Sequence, residues 1–145
     1  MNKKRLLKLA NFIEKLPNKR LNMNVVALSN AKGKMGYKEC GSVACAMGWT
    51  PAVFPKLVKW IECSGGNELN VCMTHEEARE WLRGNGSLAN NSAMVELFDI
   101  PYLDADYIFG LSKSKYHTPK QVAEGIRKYV KTGEIPNEMK YSTEV

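Results

Sequence analysis

The chain has 145 residues, of which 44% are hydrophobic and 25% charged, and 21 lysines and arginines against 15 aspartates and glutamates give a net charge of +6. This length and composition are typical of one globular domain, which excludes disorder as the dominant state. No apolar run approaches the ~18 residues of a membrane span, and a lysine and an asparagine interrupt the segment that a signal peptide would keep apolar. We therefore expect a cytoplasmic protein with no membrane partner, whose four cysteines are reduced thiols or metal ligands.

The positive charge is concentrated in the N-terminal quarter of the chain. The first 38 residues carry ten basic side chains against one acid and sum to +9, whereas residues 39–111 sum to −6. A basic segment of this kind favours an anionic partner, such as a nucleic acid or an acidic protein surface. The alternative is that the basic residues of the first predicted helix only face solvent, and these are Lys3, Lys4, Arg5 and Lys8.

The N-terminal third predicts a helix followed by a basic loop. Apolar residues recur at three- and four-residue spacing over residues 6–16, which predicts an amphipathic helix that Pro17 ends. Residues 21–28 fit either a short strand or a buried helical turn. Residues 29–38 combine two glycines with three lysines and so predict a mobile loop.

Further helices are expected along the rest of the chain. Residues 40–49 and 52–61 each predict a short apolar helix, the second with a proline in its first turn. The capping box that starts at Thr74 predicts a helix over residues 75–83, and Ser92 is the expected cap of another. The strongest start signal is a threonine, a proline and a glutamine that together predict the last helix over residues 119–132.

These signals together predict a mostly α fold. We expect a compact single domain of five to seven short helices over residues 1–133, followed by a C-terminal tail over residues 134–145. At most, a small two-stranded β element accompanies the helices, with its strands near residues 21–28 and 67–73.

One segment of the chain resembles a known group of proteins. Residues 40–49 read Cys-Gly-Ser-Val-Ala-Cys-Ala-Met-Gly-Trp, with Leu-Asn-Met at residues 21–23, Phe-Gly-Leu-Ser at residues 109–112 and a Thr-Pro-capped helix downstream. This arrangement, over roughly residues 5–133, resembles small uncharacterised proteins encoded by phages. The resemblance implies a setting in which accessory proteins oppose host defence by binding a host protein or an immune nucleotide signal. It assigns no activity and no role to any residue.

The cysteines and one histidine are candidate metal ligands. Zinc in proteins takes four ligands, often in closely spaced pairs. The pair formed by Cys72 and His75 has suitable spacing, whereas Cys40 and Cys45 are further apart than in most zinc sites. Zinc held by these four residues would make a small metal-dependent enzyme. The competing interpretation is that the cysteines are small core residues and that no cofactor is bound.

A second set of residues predicts an anion-binding site. Lysines of the basic loop attract phosphate, and unpaired amides at a helix start, expected near Gly41, bind it. An aromatic ring can stack on a base, and an arginine can pair with a phosphate through two hydrogen bonds. The competing interpretation is that the tryptophan packs in the core and that the loop lysines only face solvent. The candidate residues are Lys32, Lys34, Tyr37, Lys38, Gly41, Ser42, Trp49, Arg79 and Arg83.

Three functions remain open from the sequence. The first is a phage accessory protein that captures an anionic, nucleotide-like ligand in the host cytoplasm without chemistry. The second is a binder of nucleic acid or of a host protein through the basic N-terminal segment. The third, a small Cys/His enzyme, is disfavoured because no familiar catalytic motif is present. A homo-oligomer is compatible with ligand capture, although no heptad repeat predicts an interface.

Overall fold

A computed structural model describes residues 1–62, 66–74, 89–110 and 118–140. Two single-turn 3₁₀ helices, Asn18–Arg20 and Asn137–Met139, accompany the regular elements. In chain order the regular elements are α1 (Lys3–Glu14), β1 (Ala27–Leu28), β2 (Val43–Ala44), α2 (Thr50–Val53), β3 (Val58–Glu62), β4 (Glu68–Met73), α3 (Asn91–Phe98), α4 (Tyr102–Phe109) and α5 (Pro119–Thr132).

The four strands form one antiparallel sheet in the order β2-β1-β4-β3. Ala27 of β1 lies opposite Ala44 on one side and Leu69 on the other. The longest pairing joins β3 to β4, from Val58 opposite Met73 to Glu62 opposite Leu69. The protein is therefore mixed α/β, and the prediction of a mostly α fold was wrong. The prediction of at most a two-stranded element was wrong as well: β1 and β4 lie in the two predicted segments and pair, but they are the middle strands of a four-stranded sheet.

The helix predicted over residues 52–61 is one of two wrong predictions that made the expected fold too helical. Only α2 is helical there, because Phe54 leaves the helical backbone region (φ −126, ψ 61) immediately before Pro55. The ring of a proline disfavours the α conformation in the residue that precedes it. The β-branched and aromatic residues that follow form β3 instead, which suits their intrinsic preference.

The helix predicted over residues 40–49 is the second error. Val43 and Ala44 form β2 against β1, and the residues after them make turns that lead into α2. Gly48 explains why this turn is so close to the sheet, because a Cβ atom at this position would lie 1.6 Å from the carbonyl oxygen of Val26. Small residues in this segment therefore allow a strand and a turn to pack against β1, rather than a helix against the core.

The two terminal helices follow the sequence signals. The predicted helix before Pro17 is confirmed as α1, which buries Leu6, Leu9, Ala10 and Ile13. Helix α5 begins as predicted, since the Thr118 hydroxyl accepts a hydrogen bond from the Gln121 amide at 3.2 Å and the glutamine side chain accepts one from the Thr118 amide. Helices α1 and α5 also pack against each other.

The remaining predicted elements agree less closely with the structure. Helix α3 begins at Asn91 after Asn90, whose side chain makes no capping bond, so Ser92 is not the cap. The helix predicted over residues 75–83 lies outside the described residues. Ile135 and Met139 belong to the hydrophobic core, so the described part of the predicted tail packs on the domain. No helix within the described ranges is both long and apolar enough to cross a bilayer.

Candidate anion-binding surface

The basic loop between β1 and β2 folds around the side chain of Arg20. The Nε atom of Arg20 donates to the Ser42 carbonyl oxygen at 2.6 Å, and Nη2 donates to the carbonyl oxygens of Gly36 at 2.9 Å and Tyr37 at 3.2 Å. The Nη2 atom also lies 3.1 Å from the Ser42 hydroxyl and 3.4 Å from the Glu39 carbonyl oxygen. A guanidinium offers its donors in a fixed planar fork, so this side chain sets the path of the loop.

Ser42 completes this arrangement from the other side. It is fully buried, and its hydroxyl lies 2.8 Å from the carbonyl oxygens of both Gly36 and Glu39, to one of which it donates. The Ser42 amide donates to the Glu39 carbonyl oxygen at 3.1 Å. The groups that converge here are carbonyl oxygens, which repel anions, and the cation they surround is Arg20.

The predicted helix start at Gly41 and Ser42 was therefore wrong. These residues lead into β2, and the Ser42 amide is already used within the loop. A phosphate site built from free helix amides requires a helix to begin at this point, and the strand removes that geometry. Cys40, for the same reason, does not lie before a helix N-terminus. Gly41 is exposed and has a φ of +87°, a value that glycine adopts readily.

The three loop lysines nevertheless lie on the surface. Asn30 organises this part of the loop, because its side-chain oxygen accepts hydrogen bonds from the amides of Lys32 at 3.0 Å and Lys34 at 2.9 Å. Its side-chain nitrogen donates to the Cys40 carbonyl oxygen at 3.0 Å. The side chains of Lys32, Lys34 and Lys38 are all exposed. The predicted loop is thus present, and hydrogen bonds hold its backbone at both ends.

Tyr37 is the aromatic residue of the loop, and half of its surface is exposed. Its ring makes an edge contact with Phe12 of α1, with 5.5 Å between the ring centroids. The guanidinium carbon of Arg20 lies 5.8 Å from the centroid of the Tyr37 ring and 5.1 Å from that of Trp49. The Arg20 side chain therefore contacts both the backbone and the ring of Tyr37.

Lysines of α1 continue the loop surface. Lys4 and Lys8 of α1 and Lys15, which directly follows the helix, are spaced by four and seven residues and are exposed, so they project from one side of it. Phe12 lies between Lys8 and Lys15 in sequence on this side, and its contact with Tyr37 joins the helix to the loop. The basic surface is defined here as seven residues: Lys4, Lys8, Lys15, Lys32, Lys34, Tyr37 and Lys38.

The charge of the basic surface is not neutralised within the described ranges. None of its six lysines forms an ion pair with another described residue. Glu14, on the neighbouring face of α1, pairs with Arg127 of α5. Arg5 is partly buried and donates to the Leu97 carbonyl oxygen at 2.9 Å, so it holds α1 against α3 rather than facing solvent. The net positive charge of this part of the chain is thus presented outward.

The other candidate ligand-binding residues do not join this surface as predicted. Trp49 is fully buried, and its indole nitrogen donates to the Arg20 carbonyl oxygen at 2.9 Å. Trp49 therefore holds the backbone of Arg20 in place, and no face of its ring is exposed for a base to stack on. Arg79 and Arg83 lie outside the described residues.

The candidate metal ligands are dispersed as far as the structure describes them. Cys40 is exposed, whereas Cys45 and Cys72 are buried. The Cys45 thiol lies 3.5 Å from the Val26 carbonyl oxygen, and burial raises its pKa from 9.0 to about 11. Burial also raises the pKa of the Cys72 thiol. His75 falls outside the described residues, and within them no three His, Cys, Asp or Glu side chains form a group that could hold a metal ion.

Four surface depressions formed by described residues lie away from the basic surface. Asn24, Gln121, Ala89 and Leu103 each mark one of them, and none of the four is lined by a residue of the basic surface. None of the described candidate anion-binding residues therefore lines one of these four depressions.

Arg20 is the residue of this site that the sequence does not reveal. It stands in a run of polar residues after α1, with no spacing or motif that distinguishes it from Lys19. Its partners are 16 to 22 residues further along the chain, so the contact depends on the path of the loop. Comparison of the chain with protein-family models, with curated proteins and with solved structures returns no match.

Proposed function

We propose that the protein binds the phosphate backbone of nucleic acid through the basic surface, by charge and without chemistry. The observation that carries this proposal is the 5.5 Å contact between Tyr37 and Phe12. Through this contact, the lysines of the loop and the lysines of α1 become one exposed surface with an aromatic ring between them. Exposed lysines around an accessible aromatic ring are typical of proteins that bind nucleic acid without strong sequence preference.

A polymer fits this surface better than a single nucleotide. Capture of a small ligand requires a concave site that encloses most of it. The structural elements expected to form such a site are occupied, because the Ser42 amide donates within the loop and Trp49 is buried. Six lysines spread over a helix and a loop instead match a ligand that carries many phosphates.

The expected mechanism is release of counterions from the nucleic acid. Each lysine that neutralises a phosphate frees condensed cations, so the affinity falls as the salt concentration rises. If all six lysines contact phosphates, the logarithm of the association constant should fall with the logarithm of salt concentration with a slope of roughly −4 to −5. Binding of this kind has little dependence on base sequence.

The biological setting is part of the proposal. The resemblance of residues 40–49 and their flanking motifs to small phage-encoded proteins supports a role as an accessory protein in the cytoplasm of an infected host. There, the ligand would be nucleic acid of the host or of the phage. Binding without chemistry would act by covering the nucleic acid.

Fluorescence anisotropy with a labelled 15-nucleotide strand and a labelled 15-base-pair duplex tests the proposal. Two triple alanine variants separate the halves of the basic surface, one in the loop (Lys32, Lys34, Lys38) and one in α1 (Lys4, Lys8, Lys15). A matched control removes three exposed lysines elsewhere, Lys120, Lys131 and Lys140. We expect each surface variant to weaken binding at least tenfold and the control variant to change it less than threefold.

Three results would contradict the proposal. The wild-type protein would bind neither probe at low salt, or the control variant would weaken binding as much as the surface variants do. ATP at the same phosphate concentration would displace the labelled strand as well as unlabelled DNA does, which would indicate a nucleotide site instead.

A further inference from the structure

We infer that Tyr37 stacks on an unpaired base, so that the preferred ligand is single-stranded nucleic acid. This inference rests on the proposed function and specifies the class of nucleic acid. Every base has a flat aromatic face, and stacking on a protein ring is worth ~1–3 kcal/mol per base with little sequence preference. A duplex keeps those faces covered by neighbouring base pairs, so it cannot use the ring in this way.

The Tyr37 ring is both accessible and fixed in position. Half of the residue is exposed, while the edge contact with Phe12 and the guanidinium of Arg20 hold the ring. Its backbone is fixed as well, because the Tyr37 carbonyl oxygen accepts a hydrogen bond from Arg20 at 3.2 Å. A ring that is already ordered loses little conformational entropy on binding, and affinity benefits accordingly.

Arg20 adds a second feature that favours a nucleotide at this ring. Its hydrogen bonds to the described part of the chain come from Nε and Nη2, so Nη1 has no partner there. Within the same part of the chain no carboxylate pairs with Arg20, which therefore keeps its positive charge beside Tyr37. The positive charge of Arg20 thus lies 5.8 Å from the centroid of the Tyr37 ring, where it favours a base that carries a phosphate.

The chain also supplies a matched comparison residue. Tyr102 of α4 is exposed to a similar degree, 58% against 50% for Tyr37, but it belongs to a different surface. Tyr102 lines a depression with Asn90, Asn91 and Ser92 and has none of the basic surface's lysines around that depression. If an exposed tyrosine alone were enough for stacking, the two residues would behave alike.

Three labelled probes of equal length separate stacking from charge. They are oligothymidylate of 15 nucleotides, an abasic strand with the same phosphates, and a duplex of 15 base pairs. Thymidylate is chosen because its bases stack weakly on one another and so are available to a protein ring. Their dissociation constants are measured for the wild-type protein and for the variants Tyr37→Ala, Tyr37→Phe and Tyr102→Ala.

We expect Tyr37→Ala to weaken oligothymidylate binding about 5- to 150-fold more than it weakens binding of the abasic strand or the duplex, which lose only the contribution of the Phe12 contact. Tyr37→Phe keeps the ring and should remain within threefold of the wild type on all probes. Tyr102→Ala should behave like the wild type. The wild-type protein should also prefer oligothymidylate over the abasic strand.

Two outcomes would overturn the inference while leaving the proposed function intact. In the first, Tyr37→Ala weakens all three probes equally, which would assign the loss to charge or to a disordered loop. In the second, Tyr37→Ala binds oligothymidylate as well as the wild type does. Failure of the proposed function is a separate result, because the wild-type protein would then bind none of the probes at low salt.

Discussion

Arg20 and Ser42 form a double hydrogen bond that closes the base of the basic loop. The guanidinium donates to the Ser42 carbonyl oxygen at 2.6 Å and lies 3.1 Å from its hydroxyl. Because Ser42 is fully buried, this contact links an exposed loop to the hydrophobic core. The position of Tyr37 thus depends on Arg20, whereas Asn30 holds the backbone at Lys32 and Lys34.

Replacement of Arg20 should loosen the loop and destabilise the protein. Arg20→Ala removes a donor from the buried Ser42 hydroxyl and leaves the carbonyl oxygens of Ser42 and Tyr37 without theirs, at an expected cost of about 2–4 kcal/mol in the free energy of unfolding. Arg20→Lys should recover only a small part of this, because an ammonium group lacks the planar fork. Urea unfolding measures the cost, and trypsin should cleave at Lys32, Lys34 and Lys38 faster in both variants.

Lys15→Ala is the control for that experiment. It removes an exposed positive charge from the same surface and should change stability by no more than about 0.5 kcal/mol. Equal stability of Arg20→Lys and the wild type would show that charge, rather than the hydrogen-bond fork, is what the loop requires.

Gly48 should tolerate no side chain. A Cβ atom there would lie 1.6 Å from the Val26 carbonyl oxygen and 2.7 Å from the Ala44 Cβ, so Gly48→Ala must push the turn after β2 away from Val26, the residue before β1. We expect a loss of more than about 3 kcal/mol or a failure to fold. Gly33→Ala is the comparison, since nothing lies within 4 Å of its Cβ and its φ of +73° costs only about 1 kcal/mol. Equal melting temperatures for the two variants would refute this account of Gly48.

The cysteines should differ in reactivity in the native protein. Cys40 is exposed, whereas Cys45 and Cys72 are buried with raised pKa values, which leaves little thiolate available for reaction. Brief treatment with iodoacetamide followed by peptide mass spectrometry should find Cys40 modified well before Cys45 and Cys72, the other two cysteines among the described residues. Rapid modification of Cys45 without denaturant would contradict its placement in the core.

Alkaline pH should weaken the protein in part through Cys45. Its folded pKa of about 11 lies above the unfolded value of 9.0, so the protonated thiol stabilises the fold below pH 9 and that contribution is lost as pH rises toward 11. The Cys45→Ala variant has no thiol to titrate, so its stability does not fall for this reason. The stability difference between the wild type and Cys45→Ala, measured by urea unfolding, should therefore shrink by about 1 kcal/mol from pH 8 to pH 10. A difference that stays constant would mean that the thiol titrates normally.

Local signals in the sequence were sufficient for the terminal helices but not for the sheet. Helix α5 carries its cap, its proline and its glycine stop within one segment, and α1 carries its apolar spacing and Pro17. Strand β1 lies in a segment that fits either a strand or a helical turn, and β2 lies in a segment whose small residues predicted a helix. Each strand is only two residues long and is stabilised by pairing with residues elsewhere in the chain. The mixed α/β fold depends on those distant pairings.

Part of the candidate site could be predicted from the sequence and part could not. The loop lysines and Tyr37 were predicted from a run of basic residues and glycines, and the structure places all four on the surface. Arg20 could not be predicted, because its role is fixed by carbonyl oxygens on a loop 16 or more residues away. Ser42, expected to bind a ligand, instead holds that arginine.

If the basic surface binds nucleic acid through phosphate contacts, the affinity must fall as the salt concentration rises. Dissociation constants for labelled oligothymidylate are measured between 50 and 200 mM NaCl for the wild type and the triple loop variant. We expect a linear log–log plot, with a slope that is smaller in magnitude by about 2 in the variant because three lysine contacts are gone. A slope near zero for the wild type, or one that the variant leaves unchanged, would contradict the proposal.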